Sequence, residues 1–488
     1  MAASHRETIL GNTVRKARQQ TTRVAASELA AFVISARQHD PLTAWKLIEK
    51  PFAQGIELQD AKEPVVDGDV TYPAGSTIIP LAQPKMGLIR ALLERTHYPD
   101  NAWTHPADGG PVSPSDAATD TFAEFMGCEV RPLGHGFTGR VEKMWKIEPA
   151  IGTRSGRSVL GYLFDGRLND SFAAANAFLH QGIELLRYDE AVTHGEIALP
   201  PGAFRATVGC EDAIDTVAQE TGVPFYPMAE EPHAACHAVL PLRVGLYQRY
   251  WTGNIDEGWT RLLLERFGFP YSTLKDDAVR KGVLRESLDV LVIPHDDILD
   301  LITGTEKWLK DEHVPPEYRS GIGDEGVEAT QAFVKGGGTL VLLNRACELA
   351  FENLGIRVEN LLKDVPATQF LCPGSTLRAR IDTRHPLAYG MPAEALLFCW
   401  DSPVFRIAPS PFNERVEVVA SYPDSDLLQS GWLIGEEKIA GRPAMLSVRS
   451  GDGRVILYGF RPQHRAQTHG TFKLHFNALL GRAEVNAR

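Results

Sequence analysis

The chain has 488 residues, of which 43% are hydrophobic and 23% charged, enough for about two to four domains with sizeable cores. Its formal net charge of -12 argues against a general nucleic-acid binder, and also against an anionic membrane surface as a partner. No apolar run reaches the roughly 18 residues needed to cross a bilayer. The six cysteines are scattered without a C-x-x-C pair, so we expect reduced thiols.

The first 28 residues are polar and basic and predict one lead-in helix. They contain no apolar segment of the kind that secretory signals require. The sequence as written therefore predicts a cytoplasmic location. Export would require a signal in a preceding segment.

A short motif occurs twice in the first half of the chain. The pentapeptide QGIEL at residues 54–58 recurs at residues 181–185, an offset of 127 residues. After each copy, at the same spacing, a Pro-containing turn presents a glycine, Gly75 or Gly202. We expect a duplicated strand-helix-strand unit whose role is structural. The predicted domains are the lead-in helix at 1–28, the first α/β copy at 29–150, the second copy with a linker (228–240) at 151–240, and a last domain at 241–488.

The last domain shows a clear alternation of strands and helices. Nearly continuous apolar runs, typical of strands buried on both faces, occupy residues 243–248, 288–294, 339–343 and 454–460. Helical segments lie between them at residues 256–267, 325–334 and 348–354. This alternation predicts an α/β fold with a doubly wound, mostly parallel sheet, to which residues 376–449 add antiparallel strands.

Polar side chains follow each of the four predicted strands. Since ligands bind beyond the carboxyl ends of the strands in open parallel sheets, these side chains are expected to converge on one edge and to bind a small polar or anionic molecule. The candidate ligand-binding residues are Asp256, Glu257, His295, Asp296, Asn344, Arg461, Gln463 and, from the loop at 314–325, Arg319. That loop is predicted to be a lid, an interface loop or a plain crossover. The alternative is that the side chains only cap loops and form ion pairs.

Two catalytic hypotheses can be tested against the same sequence. Cys347 follows a strand and opens a helix, which would lower a thiol pKa, and His464 could act as its base. However, the turn lacks the glycines of a nucleophile elbow, so a buried structural thiol is the alternative. His233 and His237 would share a face on a helix, but Pro232 and the lack of an H-E-x-x-H motif argue against zinc there. We predict no metal and no other cofactor in this chain.

Several longer segments are distinctive: QHDPLTAWKLIEKPFAQGIEL and YPAGSTIIPLAQP in the first part, and PPEYRSGIGDEGV, FVKGGGTLVLLN, CPGSTLRARID and GFRPQHRAQTHGTFKLHFNAL in the last. Over nearly the whole chain, the sequence resembles the region downstream of the catalytic domain in large bacterial carboxypeptidase A-like zinc metallopeptidases. The resemblance implies that the last domain is similar to class I glutamine amidotransferases. It also implies an accessory role, since the zinc-bearing residues would precede residue 1 and no Gly-Cys-Gly elbow or H-x-E pair occurs in the last domain.

The leading hypothesis is therefore an accessory or binding protein without peptidase activity of its own. Its expected partners are a separate or upstream peptidase domain and a small polar ligand, with self-association left open. The alternative is a hydrolase or amidotransferase-like enzyme that uses Cys347 and His464.

Overall fold

A computed structural model gives the fold of the chain. It describes residues 2–106, 109–195, 197–250, 254–304, 315, 318, 321–409 and 415–484. The chain divides into two compact units, one formed by Met1–Thr96 and Asp120–Ala150, the other by His97–Thr119 and Ile151–Arg488. Of the loop at 314–325, predicted to be a lid, an interface loop or a crossover, residues 314, 316, 317, 319 and 320 lie outside the described residues.

The first unit is built around a five-stranded antiparallel sheet. Its elements are α1 (Arg6–Arg23), β1 (Leu29–Ile34), α2 (Pro41–Ala53), β2 (Gln59–Ala61), β3 (Val65–Asp67), β4 (Val70–Tyr72), β5 (Thr77–Pro80), α3 (Met86–Leu93), α4 (Phe122–Phe125), β6 (Val130–Gly134) and β7 (Val141–Lys143). The strand order of the sheet is β6-β1-β5-β2-β7. Helix α1 lies within the segment at 1–28 that is predicted to form a lead-in helix. Helix α2 begins where the Asp40 side chain accepts a hydrogen bond from the Thr43 amide at 2.9 Å, an N-cap.

The second unit contains two larger sheets. Its elements are β8 (Tyr162–Phe164), α5 (Asp170–His180), β9 (Leu185–Tyr188), β10 (Val192–His194), β11 (Ile197–Leu199), β12 (Phe204–Ala206), α6 (Glu211–Thr221), β13 (Tyr226–Pro227), β14 (Cys236–Pro241), β15 (Val244–Tyr247), α7 (Ile255–Arg266), β16 (Tyr271–Leu274), α8 (Asp276–Arg280), α9 (Leu284–Ser287), β17 (Val290–Ile293), α10 (Ile298–Thr303), α11 (Gly323–Lys335), β18 (Thr339–Leu343), α12 (Glu348–Glu352), β19 (Val358–Asn360), β20 (Pro373–Ile381), β21 (Glu394–Trp400), β22 (Phe405–Ile407), β23 (Val416–Ser421), β24 (Leu428–Ser430), β25 (Pro443–Ser450), β26 (Gly453–Tyr458), α13 (Phe472–Phe476) and β27 (Leu480–Glu484). No described helix combines the length and hydropathy needed to cross a lipid bilayer.

Each unit carries one copy of the repeated structure. In the first copy, β5 pairs antiparallel with β1 and β2, and in the second copy, β12 pairs antiparallel with β8 and β9. The strand orders are therefore β1-β5-β2 and β8-β12-β9. The hydrogen bonds of the glycine turn also repeat. The Gly75 amide donates to the Ala61 carbonyl at 2.7 Å, and the Gly202 amide donates to the Tyr188 carbonyl at 2.8 Å. The duplicated motif therefore marks a duplicated fold.

The predicted linker at 228–240 is wrong at its end, where β14 forms. This strand pairs with β9 and β27 and extends the second copy into a six-stranded sheet, β13-β8-β12-β9-β14-β27. Because His237 lies on a strand, it does not share a helical face with His233. Instead, His237 Nδ1 lies 3.1 Å from Asp189 Oδ1.

A ten-stranded sheet dominates the second unit, with β16-β15-β17-β18-β26-β25-β23-β20-β21 along its path and β24 beside β20. The strands from β16 to β26 are parallel. From β26 to β21 they are antiparallel. This confirms the α/β class and the antiparallel addition. The doubly wound, mostly parallel sheet is not confirmed, because the sheet continues beyond β26 through antiparallel pairings.

The strands predicted from apolar runs correspond to β15, β17, β18 and β26, and the predicted helices correspond to α7, α11 and α12. All residues of β15 and β17 are buried, because helices and loops cover both faces of this part of the sheet.

We predict that Gly75→Ala lowers the free energy of unfolding by about 1 kcal/mol, and Gly202→Ala by about 2–3 kcal/mol. Both glycines have positive φ, 83° and 96°. A Cβ on Gly202 would also lie 2.5 Å from the Tyr389 Cβ, whereas a Cβ on Gly75 has its nearest neighbour at 3.8 Å. Urea unfolding of the two variants provides the test. Equal losses would contradict the packing difference.

Candidate functional site

The chain turns sharply where β18 ends. Asn344, the next residue, is fully buried and has φ 54°, a left-handed conformation that asparagine tolerates better than most side chains. Its Nδ2 donates to the Trp400 carbonyl at 3.0 Å and lies 3.0 Å from His295 Nδ1. A strained strand-to-helix turn is the position of the nucleophile in elbow-type hydrolases. In this chain the side-chain amide of Asn344, which is held by the Trp400 carbonyl and by His295, occupies the position of the nucleophile.

A buried ion pair joins α7 to the residues that follow β26. Arg461 Nη1 donates to Asp256 Oδ2 at 2.8 Å, and both side chains are buried. Burial raises the pKa of Asp256 to about 6, although Arg461 opposes the shift. The guanidinium also lies 5.4 Å from the centre of the Trp400 ring, a cation–π contact.

A second buried ion pair joins the ends of β15 and β17. Arg249 Nε lies 2.9 Å from Asp296 Oδ2, and Arg249 Nη1 lies 3.1 Å from Asp300 Oδ2. Burial raises the pKa of Asp296 to about 7, and Arg249 opposes the shift. Arg249 was not among the predicted site residues, although the strand-end rule reaches it two residues after β15.

The structure brings several predicted residues together. His295 contacts Asn344, and Asp256 contacts Arg461. Glu257 Oε2 accepts from Gln248 and Arg261, while Gln463 Nε2 donates to Thr260 Oγ1 at 3.1 Å. Arg319 lies outside the described residues. The ligand-binding role of all these residues stays a prediction. Sequence reasoning missed Trp400 because it comes from an antiparallel strand.

The cluster contains buried polar atoms that have no hydrogen-bond partner within the described part of the chain. They are Asp256 Oδ1, Glu257 Oε1, Asn344 Oδ1, Arg461 Nε and Gln463 Oε1. Most buried polar atoms in proteins are paired, because an unpaired one costs about 1–3 kcal/mol. Four of these atoms are acceptors and one is a donor. The cluster is therefore suited to a group that donates several hydrogen bonds.

The environment of Cys347 argues against the hypothesis of a thiol nucleophile. The side chain is fully buried in the core, and its Sγ lies 3.3 Å from the Leu342 carbonyl and 3.5 Å from the Tyr458 carbonyl. Burial raises the pKa of the Cys347 thiol well above its usual range, which disfavours the reactive thiolate. The predicted structural thiol is the better interpretation, since Asn344 and not Cys347 is at the apex of the turn.

His464, the proposed base, lies among aromatic rings. The ring centres of Phe398 and Trp259 are 4.2 and 4.9 Å from the centre of the imidazole. Burial lowers the pKa of His464 to about 3, and Arg461 adds to the shift. A general base works best with a pKa near the operating pH, so this environment is unsuited to that role.

A cavity of about 480 Å³ borders the same edge, with Arg345 and Asp401 in its lining. Arg345 Nη2 donates to Asp297 Oδ2 at 2.8 Å, which links the cavity to the end of β17. Like Asn344, Asp401 has a positive φ, 47°. Within the described ranges, no group of three or more His, Cys, Asp or Glu side chains is placed to hold a metal ion.

Comparisons with known proteins give distant likenesses. No protein-family model matches the chain, and no curated protein matches it. Among solved structures, a cytoplasmic protein from Salmonella typhimurium is 12% identical, with a TM-score of 0.32, over 49% of this chain and 98% of its own. A ThuA-like protein from Bacteroides uniformis is 14% identical, with a TM-score of 0.28, over 49% of this chain and 89% of its own.

A GMP synthase subunit from Thermoplasma acidophilum is 10% identical, with a TM-score of 0.28, over 49% of this chain and 94% of its own. The neighbours thus include ThuA-like and glutamine amidotransferase-like folds. Likenesses of this size do not bear on function. The chain is an α/β protein, and the resemblance to carboxypeptidase A-like proteins stays a prediction.

We predict that Cys347 does not react with Ellman's reagent in the native chain at pH 8 and reacts only on unfolding, because its thiol is buried. Cys347→Ala should therefore leave the number of fast-reacting thiols unchanged. Cys128, which is only partly buried, provides the matched control, and Cys128→Ala should lower that number by one. Fast labelling of Cys347 would restore the nucleophile hypothesis.

Proposed function

We propose that this chain is a non-catalytic binding module whose strand-end cluster holds a small ligand rich in hydrogen-bond donors. The observation that carries the proposal is the set of buried polar atoms around Asn344, Asp256 and Gln463, mostly acceptors, for which the described part of the chain supplies no hydrogen-bond partner. The same turn that presents a nucleophile in elbow-type enzymes presents an amide here, which supports binding rather than covalent chemistry.

Charge balance favours a neutral ligand over a cation. Asp256 is paired with Arg461, and Glu257 with Arg261 at 3.0 Å, so the acceptors do not form a net negative site. Trp400, whose ring lies against Arg461, adds an apolar face. A small polyol of monosaccharide size combines hydroxyl donors with an apolar carbon skeleton, and we propose this ligand class.

We further propose that the module serves a zinc-peptidase domain, encoded upstream of Met1 or in a neighbouring gene. The support is the sequence resemblance, which covers nearly the whole chain. The DNA upstream of Met1 provides the test. An α/β domain bearing H-x-x-E, in frame or in the adjacent gene, is the expected result, and its absence from both places would contradict the partnership.

We predict that a polyol from a panel of hexoses and inositols raises the thermal unfolding midpoint of the chain. Gln463→Met removes Oε1, which has no hydrogen-bond partner among the described residues, and should weaken binding by about tenfold or more, because one lost hydrogen bond to a buried group costs about 1–2 kcal/mol. The variant also loses the hydrogen bond from Nε2 to Thr260 Oγ1, so the midpoint of the ligand-free variant should fall by a few degrees.

The matched control is Gln429→Met, which alters a second buried glutamine, whose Oε1 accepts from Arg378 at 2.9 Å. It should bind the polyol as tightly as the parent chain. Calorimetric titration measures the affinities. If no member of the panel binds, or if both variants lose binding equally, the proposal is wrong.

A further inference from the structure

A second cavity lies at the opposite edge of the ten-stranded sheet, where β18 and β26 begin. It has a volume of about 470 Å³, and its lining includes Thr339 and Arg454 from the first residues of these strands. The second copy of the repeat adds Arg187 to the wall. Cavities of this size hold small organic molecules in other proteins.

The wall of this cavity is cationic. It contains Arg187, Arg285, Arg449, Arg454 and Arg482, against the carboxylates of Asp289 and Asp452. Two of these arginines are neutralised, Arg285 by Asp289 at 2.8 Å and Arg482 by Asp189 at 3.1 Å. Within the described residues, no ion pair neutralises Arg187, Arg449 or Arg454. Within the described part of the chain, arginines therefore outnumber carboxylates in the wall of this cavity.

Arg187 is the most buried member of this set, only 3% exposed. Its Nη2 donates to Asn477 Oδ1 at 2.7 Å and its Nε to the Gly202 carbonyl at 3.3 Å. Asn477 is itself fixed, because its Nδ2 donates to the Leu387 and Tyr389 carbonyls at 3.0 Å. No hydrogen bond within the described part of the chain uses Arg187 Nη1, so this group is left for the cavity.

Aromatic rings hold the guanidinium of Arg187 in place. Its centre lies 4.7 Å from the Phe204 ring and 5.4 Å from the rings of Phe172 and Tyr389. Burial lowers the pKa of Arg187 to about 9, so the side chain remains charged at neutral pH. Burying a charge without a direct ion pair is costly, and within the described residues no carboxylate forms an ion pair with Arg187, although Asp189 favours its charged form from a greater distance.

The repeat shows that the fold does not require an arginine at this position. In the first copy, Asp60 is the residue equivalent to Arg187. Asp60 lies opposite Thr77 in the antiparallel sheet, as Arg187 lies opposite Phe204. Asp60 is only partly buried and forms an ion pair with Lys62. A positive charge at this position therefore occurs only in the second copy. A folding role shared by both copies does not explain why Arg187 is there.

We propose that this cavity binds a small polyvalent oxyanion, with Arg187 and Arg454 as its principal contacts. Guanidinium groups match phosphate and carboxylate oxygens with parallel hydrogen bonds. Val239, Leu387 and Ile456, which also line the cavity, suit an organic body attached to the anion. A phosphate ester and a polycarboxylate share this chemistry.

The experiment is a titration of the full chain with pyrophosphate and with citrate, at constant ionic strength set by KCl. Thermal shift and calorimetry report binding. At least one of the two anions should bind with one equivalent, and the preferred anion distinguishes a phosphate site from a carboxylate site. Arg454→Gln, which changes a half-buried side chain, should weaken that binding by about tenfold or more. Arg187→Met should abolish it.

Two controls separate this site from other effects. Arg406→Gln changes an exposed arginine that is paired with Glu359 and should bind the anion as the parent chain does. Gln463→Met, at the other edge of the sheet, should do the same, which keeps the outcome independent of polyol binding. The proposal is overturned if neither anion stabilises the chain beyond KCl, or if Arg454→Gln and Arg406→Gln bind alike.

Discussion

The turn at Asn344 is the constraint on which the carboxyl edge of the large sheet depends. A fully buried residue in the left-handed region is tolerated only where its surroundings hold it, and here the Trp400 carbonyl and His295 do so. The two contacts come from β21 and from the end of β17, so one amide connects the antiparallel and the parallel halves of the sheet. The buried pairs of Arg461 with Asp256 and of Arg249 with Asp296 extend this network across the ends of β15, β17 and β26.

The two copies of the repeated unit share a backbone fold but differ in the side chains that it carries. Strand orders, hairpins and glycine turns are alike in the two copies, so the shared elements are those that set the chain path. The side chains differ where the second copy meets the rest of its unit. Gly202 is pressed against Tyr389, and Arg187 is caged by aromatic rings, whereas Gly75 and Asp60 have looser surroundings. Packing in the second unit thus surrounds Gly202 and Arg187 closely, whereas the equivalent positions of the first copy, Gly75 and Asp60, have fewer close neighbours.

Much of the fold could be predicted from the sequence, because the apolar runs of β15, β17, β18 and β26 are local signals. The repeat was visible for the same reason, since its strands and turns follow one another at fixed spacing. The strand β14 was missed because its pairing with β27 joins residues more than two hundred positions apart. The strand-end rule located His295, Asn344 and Arg461 correctly on one edge. It could not show that Cys347 is buried, because that depends on β26 and the loops that cover the turn.

The carboxyl and amino edges of the sheet differ in whether their buried charges are paired. This difference distinguishes the ligands that we propose for them. At the carboxyl edge, the buried carboxylates of Asp256, Asp296 and Glu257 each have an arginine beside them. The atoms of the cluster that have no partner among the described residues are mostly acceptors on neutral or ion-paired groups. At the amino edge, Arg187 is held by an amide, a carbonyl and three aromatic rings, none of which cancels its charge. An uncancelled buried charge selects an anion by Coulomb attraction, whereas neutral acceptors select by hydrogen-bond geometry. The two edges of the sheet are therefore expected to discriminate between ligands on different physical grounds, although the same strands, β18 and β26, run between them.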